Sequence, residues 1–164
     1  MENKDATKNN RSLMLFLGIT LLVQAVTALI GGTIFLGSFD SSEITSETIR
    51  NISDSAVTGY VSILLQMITA VVIIMLGVAM YQAAGHSYKT IAIVALCLYI
   101  FEATLLAMGQ VFVFGLIEVS NLYSSSVDAN LIPLGEILFT CREFAGQSPS
   151  FHLGLGQYYF INSY

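Results

Sequence analysis

Charge is what this chain has least of. Lys, Arg, Asp and Glu together make 10% of its 164 residues, while 55% are hydrophobic and the mean hydropathy is +0.74. Soluble domains carry about 25% charged residues, so a water-soluble fold wrapped in its own polar surface is excluded and lipid is the implied solvent. Proline is almost as scarce. Pro133 and Pro149 are the two in the chain, and neither falls in a long apolar run. That speaks against the interrupted helices that many transporters place at their binding sites and predicts continuous ones. Two cysteines, Cys97 and Cys141, cannot build a disulfide framework and read as free thiols.

The remaining absences concern chemistry. Six basic residues among eleven acidic ones leave no basic patch for nucleic acid. There is no His-Glu-x-x-His, no Gly-x-Ser-x-Gly, no phosphate-binding glycine loop and no Cys-x-x-Cys. His86 and His152 have no metal-ligand spacing. The expectation is a protein that is not an enzyme and holds no metal and no cofactor.

Three long runs carry the architecture. Leu13 to Leu36 would span about 36 Å as a helix, enough for a hydrocarbon core of about 30 Å. A second charge-free run has Val57 to Met80 as its apolar heart and reads as a span over Val57 to Ala84. The third runs from Thr90 to Ile117, broken only by Glu102. Lys4, Lys8 and Arg11 ahead of the first run resemble the positive start of a signal peptide. The run is too long for that reading, since such apolar segments have about 7–15 residues, and no Ala-x-Ala site closes it. The fold class expected is therefore all-α, an integral membrane helical bundle with three transmembrane helices and a fourth left open. Residues 1–12 would be a cytoplasmic tail, 13–117 the three-helix transmembrane region, and 118–164 an outer loop, an amphipathic helix and an incomplete fourth span.

Orientation follows from the basic residues. Lys4, Lys8, Arg11 and Lys89 sit at one end of the predicted spans, and only Arg50 and Arg142 at the other, which places the N-terminus in the cytoplasm of a multi-pass plasma membrane protein. Tyr81 and Tyr88 at one interface, with Tyr60 and Tyr123 at the other, fit the headgroup layer. Eight of the acids, Asp40, Glu43, Glu47, Asp54, Glu118, Asp128, Glu136 and Glu143, lie in the two predicted outer loops, so the net charge of −5 is a matter of topology. The first outer loop, Ser38 to Asp54, reads as solvated, although Ser46-Glu47-Thr48-Ile49 has the makings of a short surface helix. Asn51-Ile52-Ser53 matches a glycosylation acceptor by chance composition. Farther on, Leu134, Ile137, Leu138, Cys141 and Phe144 recur at helical spacing opposite Glu136, Arg142 and Glu143. This is an interfacial amphipathic helix or the start of a fourth span, and periodicity alone does not separate the two.

An ionisable group at mid-bilayer depth costs roughly 3 kcal/mol on insertion scales and normally faces protein or water, which makes Glu102 the best functional candidate. Gln24 lies near the middle of the first span and Glu102 near the middle of the third, while Gln66 and Gln110 lie toward the outer halves of the second and third, and residues at equal depth can pair. Ala92, Ala95, Tyr99, Glu102 and Gly109 share one face, small apart from two polar groups, which suits close packing around a buried carboxyl. The candidate intramembrane polar site is thus Glu102, Gln24, Tyr99, Gln66 and Gln110. The competing reading is that these groups are interhelical glue, each bond worth about 0.6 kcal/mol. Small residues four apart, Ala79 with Ala83 and Ala28 with Gly32, fit helix packing as well.

Tyr99-Ile100-Phe101-Glu102-Ala103 and Phe151-His152-Leu153-Gly154-Leu155-Gly156, in a chain ordered as a charge-free span, an acidic loop and a helical hairpin, resemble a bacterial multi-pass membrane family catalogued as domain of unknown function four-three-eight-six. Many members place an arginine three residues before the glutamate, where this chain has Tyr99, and continue into further spans. The resemblance implies a truncated member and an integral membrane protein, without a mechanism. The functional expectation is a non-enzymatic binding or assembly component whose partners are the lipid bilayer and other membrane proteins or a second copy. The alternative is a proton or small-solute carrier that uses Glu102.

Overall fold

The computed structural model describes residues 15–31, 34, 44–84, 88–126 and 128–145. It is helical throughout, with no strand among the described residues. Among the described residues five helices follow one another: α1 over Leu15–Gly31, α2 over Ser46–Asp54, α3 over Ala56–Ala83, α4 over Lys89–Ser126 and α5 over 131–145. Two of them, α3 and α4, are long and apolar enough to cross a membrane, and α1 is a shorter apolar helix. The ends of the predicted first span, the turn around His86 and the tail with His152 lie outside the described residues, as does the 147–164 part of the open fourth span.

The helices align antiparallel in a fixed register. Gly59 of α3 sits against Ile117 of α4, Tyr60 donates a hydrogen bond of 2.8 Å to Glu118, and the Tyr99 hydroxyl reaches the Met80 sulfur at 3.4 Å. Glycine is needed at position 77, where a Cβ would lie 3.0 Å from the Tyr99 Cβ and 3.1 Å from Leu96 Cδ1. On the other flank of α3, Ser62 donates to the Gly31 carbonyl at 3.0 Å and Thr69 to the Thr27 hydroxyl at 2.8 Å, which fixes α1 beside α3.

The outer loop expected to be solvated is largely helix α2. Thr45 caps it: its hydroxyl accepts from the Thr48 N–H at 3.2 Å while the Thr48 hydroxyl accepts from the Thr45 N–H at 3.4 Å, a reciprocal box that satisfies two otherwise free donors. Ile49 and Ile52, read as loop residues, are among the most buried side chains, at 0% and 1% exposure. Ile52 forms a core with Val113, Leu116 and Ile117, flanked by Ile63, Leu138 and Phe139. An apolar stripe three residues apart was enough to dock a helix of nine residues, because a receptive face existed on α4.

α4 is also longer than the third run. It continues past Ile117 through Glu118 to Ser126, where a loop was expected, and at 38 residues it is about 57 Å long. Residues 118–126 contain no proline or glycine to stop the helix. Ser120, Ser125 and Ser126 return their hydroxyls to carbonyls of their own helix at 2.8 Å. Val119, Ser120 and Tyr123 are buried, so Tyr123 is a core residue and not part of an interfacial belt.

The amphipathic stretch near the end is α5, and its apolar face is divided between the bundle and the outside. Leu134, Ile137 and Phe144 face outward, Phe144 at 79% exposure. The packed face carries Gly135 against Ile49 and Leu116, Leu138 against Gly115, and Ala145 against Gly109. Small residues allow this close approach, and the pairings make α5 run back antiparallel along α4.

Candidate functional site

Buried polar side chains gather along one seam of the bundle. On α1 they are Thr20 and Gln24, with Thr27 half-buried; on α3 Ser62 and Thr69, with Gln66 half-buried; on α4 Glu102, Gln110 and Ser120. The spacing explains the gathering. Positions 20, 24, 27 and 31 fall on one face of α1, and 62, 66, 69 and 73 on one face of α3, each repeating by four and three residues. The two faces meet through the Ser62–Gly31 and Thr69–Thr27 bonds.

The hydroxyls of the seam mostly donate inside their own helices. Thr20 donates to the Phe16 carbonyl at 2.7 Å, Thr27 to Val23 at 2.9 Å and Ser120 to Leu116 at 2.8 Å. The Gln110 amide reaches the Leu106 carbonyl at 3.5 Å. Thr27 in turn accepts from Thr69 at 2.8 Å. Gln24 Oε1 is fully buried with no hydrogen-bond partner among the described residues.

Glu102 is 3% exposed, and no hydrogen bond or ion pair reaches it among the described residues. It stands on the turn of α4 that carries Tyr99 and Ala103. Those two pack with Ala70, Ile73 and Leu76 of α3, and Leu17 of α1 lies against the same cluster. The register therefore puts Glu102 level with Ile73 to Gly77 on α3 and with Leu17 to Thr20 on α1. Gln24 falls nearer the level of Leu106 and Gln110. Gln24 and Glu102 therefore do not share a depth, whereas Gln66 and Gln110 do, because antiparallel register and not distance from the run's midpoint decides which residues are level.

The other predicted residues are placed as follows. Tyr99 is buried, with its hydroxyl on Met80; Gln66 packs its side chain against Gly31, where an added Cβ would come within 3.2 Å of Nε2; Gln110 is buried on α4. Of the face read as small, Ala92, Tyr99, Glu102 and Gly109 are buried and Ala95 is half-buried. The seam brings Gln24, Gln66 and Gln110 into one region and keeps Tyr99 and Glu102 in the neighbouring layer. What the sequence reading passed over are the hydroxyls Thr20, Thr27, Ser62 and Thr69. Their signal was available, since each shares a helical face with a glutamine already singled out. No group of three or more His, Cys, Asp or Glu residues able to hold a metal ion occurs among the described residues.

The sequence profile of the family described as Domain of unknown function (DUF4386) matches residues 16–153. The chain belongs to this family. The matched region of this DUF4386 protein contains α1 to α5 almost entire, and with them every residue of the polar seam. Neither the curated proteins nor the solved structures contain a match to it.

Proposed function

We propose that this DUF4386 protein crosses the bacterial plasma membrane several times, with its N-terminus in the cytoplasm, and works there as a non-enzymatic binding or assembly component. The observation that carries the reading is the outward direction of its apolar side chains. Only 33% and 22% of the most apolar stretches of α3 and α4 are buried within the bundle. Leu22, Leu29, Val57, Leu64 and Val111 all point outward. Burial of apolar area drives folding in water, and a chain that leaves this much of it uncovered is suited to lipid or to neighbouring helices. Lys4, Lys8, Arg11 and Lys89 at one end support the orientation, and the return of α5 along α4 favours a fourth pass over a helix lying flat at the interface.

A second reading, a proton or small-solute carrier, is favoured by the buried carboxyl of Glu102 and the unpartnered Oε1 of Gln24. Two measurements test the proposal. A cysteine placed at Ser42 is labelled from the outer side only; labelling from the cytoplasmic side alone overturns the orientation. In liposomes the native chain shows no proton or solute flux, whereas a flux that vanishes with Glu102→Gln promotes the carrier.

A further inference from the structure

Two aromatic rings and a carboxylate converge near the start of α3. Phe114 and Glu118 are one turn apart on α4 and share a face, and Tyr60 reaches that face from the second turn of α3. The Tyr60 and Phe114 ring centroids are 6.1 Å apart, with the rings inclined at 45°, and the Tyr60 hydroxyl donates to Glu118 Oε1 at 2.8 Å. All three side chains are exposed. No basic residue pairs with Glu118 among the described residues.

Depth along α4 shows what meets this trio. From Lys89 to Glu118 the helix rises about 44 Å, and a bilayer with both headgroup layers is about 40–45 Å thick. With Lys89 at one surface, Glu118 therefore lies in the opposite headgroup layer, and Phe114, about 5 Å inward, at the edge of the hydrocarbon. We propose that Tyr60, Phe114 and Glu118 form a site for the ammonium group of a phospholipid headgroup, of the ethanolamine type. The proposal rests on the membrane-spanning reading and adds a ligand to it. Rings inclined at 45° enclose a wedge, and a cation there can stand within about 6 Å of both centroids, since these are themselves 6.1 Å apart.

The chemistry selects the sign of the ligand's charge and the kind of cation. Aromatic faces attract cations through their quadrupole, and a carboxylate accepts charge-assisted hydrogen bonds from a primary ammonium. Glu118 Oε2 has no hydrogen bond among the described residues and is free to accept one. A glycerol headgroup brings no cation and sets its phosphate beside Glu118, which repels it. Other exposed aromatics lack the combination. Phe144 also has an acid beside it, but Glu143 is already paired with Arg142, and Tyr88 adjoins Lys89, a cation of the protein's own.

The test takes the full chain from vesicles that hold phosphatidylethanolamine, its N-acetyl derivative and phosphatidylglycerol in equal amounts, and counts the lipid still bound by native mass spectrometry. Acetylation removes the cation and leaves the rest of the lipid unchanged. The native chain should retain phosphatidylethanolamine over the N-acetyl form on the order of fivefold, which is what one cation–π contact at an exposed site is worth. Glu118→Gln keeps an acceptor for the Tyr60 hydroxyl and loses the charge, so it should bring the ratio to about one, as should Phe114→Leu. Equal retention by the native chain, or an unchanged ratio in Glu118→Gln, overturns the site and leaves the Tyr60–Glu118 bond a purely structural one. Tyr88→Leu, at the other end of the bundle, should keep the preference; if it loses it as Phe114→Leu does, any interfacial aromatic serves and the assignment falls. Glycerophosphoethanolamine in solution should not displace the lipid, and displacement at low millimolar concentration would make the ligand a soluble amine instead. If alkaline carbonate strips the chain from the vesicles, the membrane-spanning reading itself has failed; a chain that stays and shows no preference refutes the headgroup site alone.

Discussion

Gly77 and Tyr99 are in backbone-to-side-chain contact: a Cβ built on Gly77 would stand 3.0 Å from the Tyr99 Cβ. The obstacle is the root of a side chain on a packed helix and not a flexible end, so it cannot swing away. Gly77→Val should therefore force α3 and α4 apart and lower stability by about 1–3 kcal/mol, as overpacking of cores does. Gly18 on α1 is the control. A Cβ there meets nothing within 4 Å, and Gly18→Ala should be neutral or stabilising by up to about 1 kcal/mol through helix propensity. Thermal unfolding in detergent micelles compares the two. Equal midpoints for Gly77→Val and the native chain would mean that the two helices are not packed in this register.

Docking of α2 depends on one side chain more than on its own helix-forming tendency. A helix of nine residues is too short to persist alone in water. Ile52 inserts among Val113, Leu116 and Ile117, and Ile52→Ala should remove about 2–5 kcal/mol, the range for emptying a core isoleucine site. Thr45→Ala should remove about 1 kcal/mol by opening the cap. Amide hydrogen exchange of residues 46–54 in the full chain measures both. If exchange in Ile52→Ala stays as slow as in the native chain, α2 is held by something other than this core.

The two long helices were legible because proline is absent from both runs and charge from all of them but Glu102. Val57 to Ala84 became Ala56–Ala83 almost to the residue. The outer parts were not legible for a physical reason. Hydropathy reports a preference for lipid over water, but Ile49, Ile52 and Tyr123 are covered by protein, and a short stripe of isoleucines looks the same whether or not a receiving face exists. The same ambiguity left α5 open, since Leu134, Ile137 and Phe144 are as much at home against lipid as in a core. For the seam, glutamines and a glutamate stand out against hydrocarbon, whereas threonine and serine satisfy themselves on their own helix carbonyls and blend into an apolar run. Depth was misjudged for Gln24 because only contacts such as Ser62 to Gly31 set the register.

Thr27 and Thr69 supply a bond between α1 and α3, 2.8 Å long. Both hydroxyls also have carbonyls of their own helices to turn to, Val23 and Leu65, so losing the partner leaves neither without a bond. A double-mutant cycle with Thr27→Val and Thr69→Val should give a coupling of about 0.6 kcal/mol, the average for polar contacts between membrane helices. Near-zero coupling in unfolding experiments would remove the bond from the account of how α1 is held, leaving Gly31 against Gln66 and Leu17 against the Tyr99 cluster.

Glu102 presents the sharpest contrast between neighbouring substitutions. Its side chain is buried without a hydrogen bond or ion pair among the described residues, so replacing it removes no partner among them. Glu102→Gln keeps the volume and drops the charge, and should leave folding unchanged within the roughly 0.5 kcal/mol expected where no specific contact is lost. Glu102→Leu should be neutral or stabilising, because an apolar side chain of similar size suits the layer of Ile73, Leu76 and Ala103. Glu102→Lys should be harmful by about 3 kcal/mol or more, since it buries an ammonium with no carboxylate to receive it and adds length where the packing is closed. Yield from membranes and unfolding midpoints in detergent rank the three. A Lys variant as stable as the native chain would place the position in water, and a strongly destabilised Leu variant would reveal a partner that the carboxyl depends on.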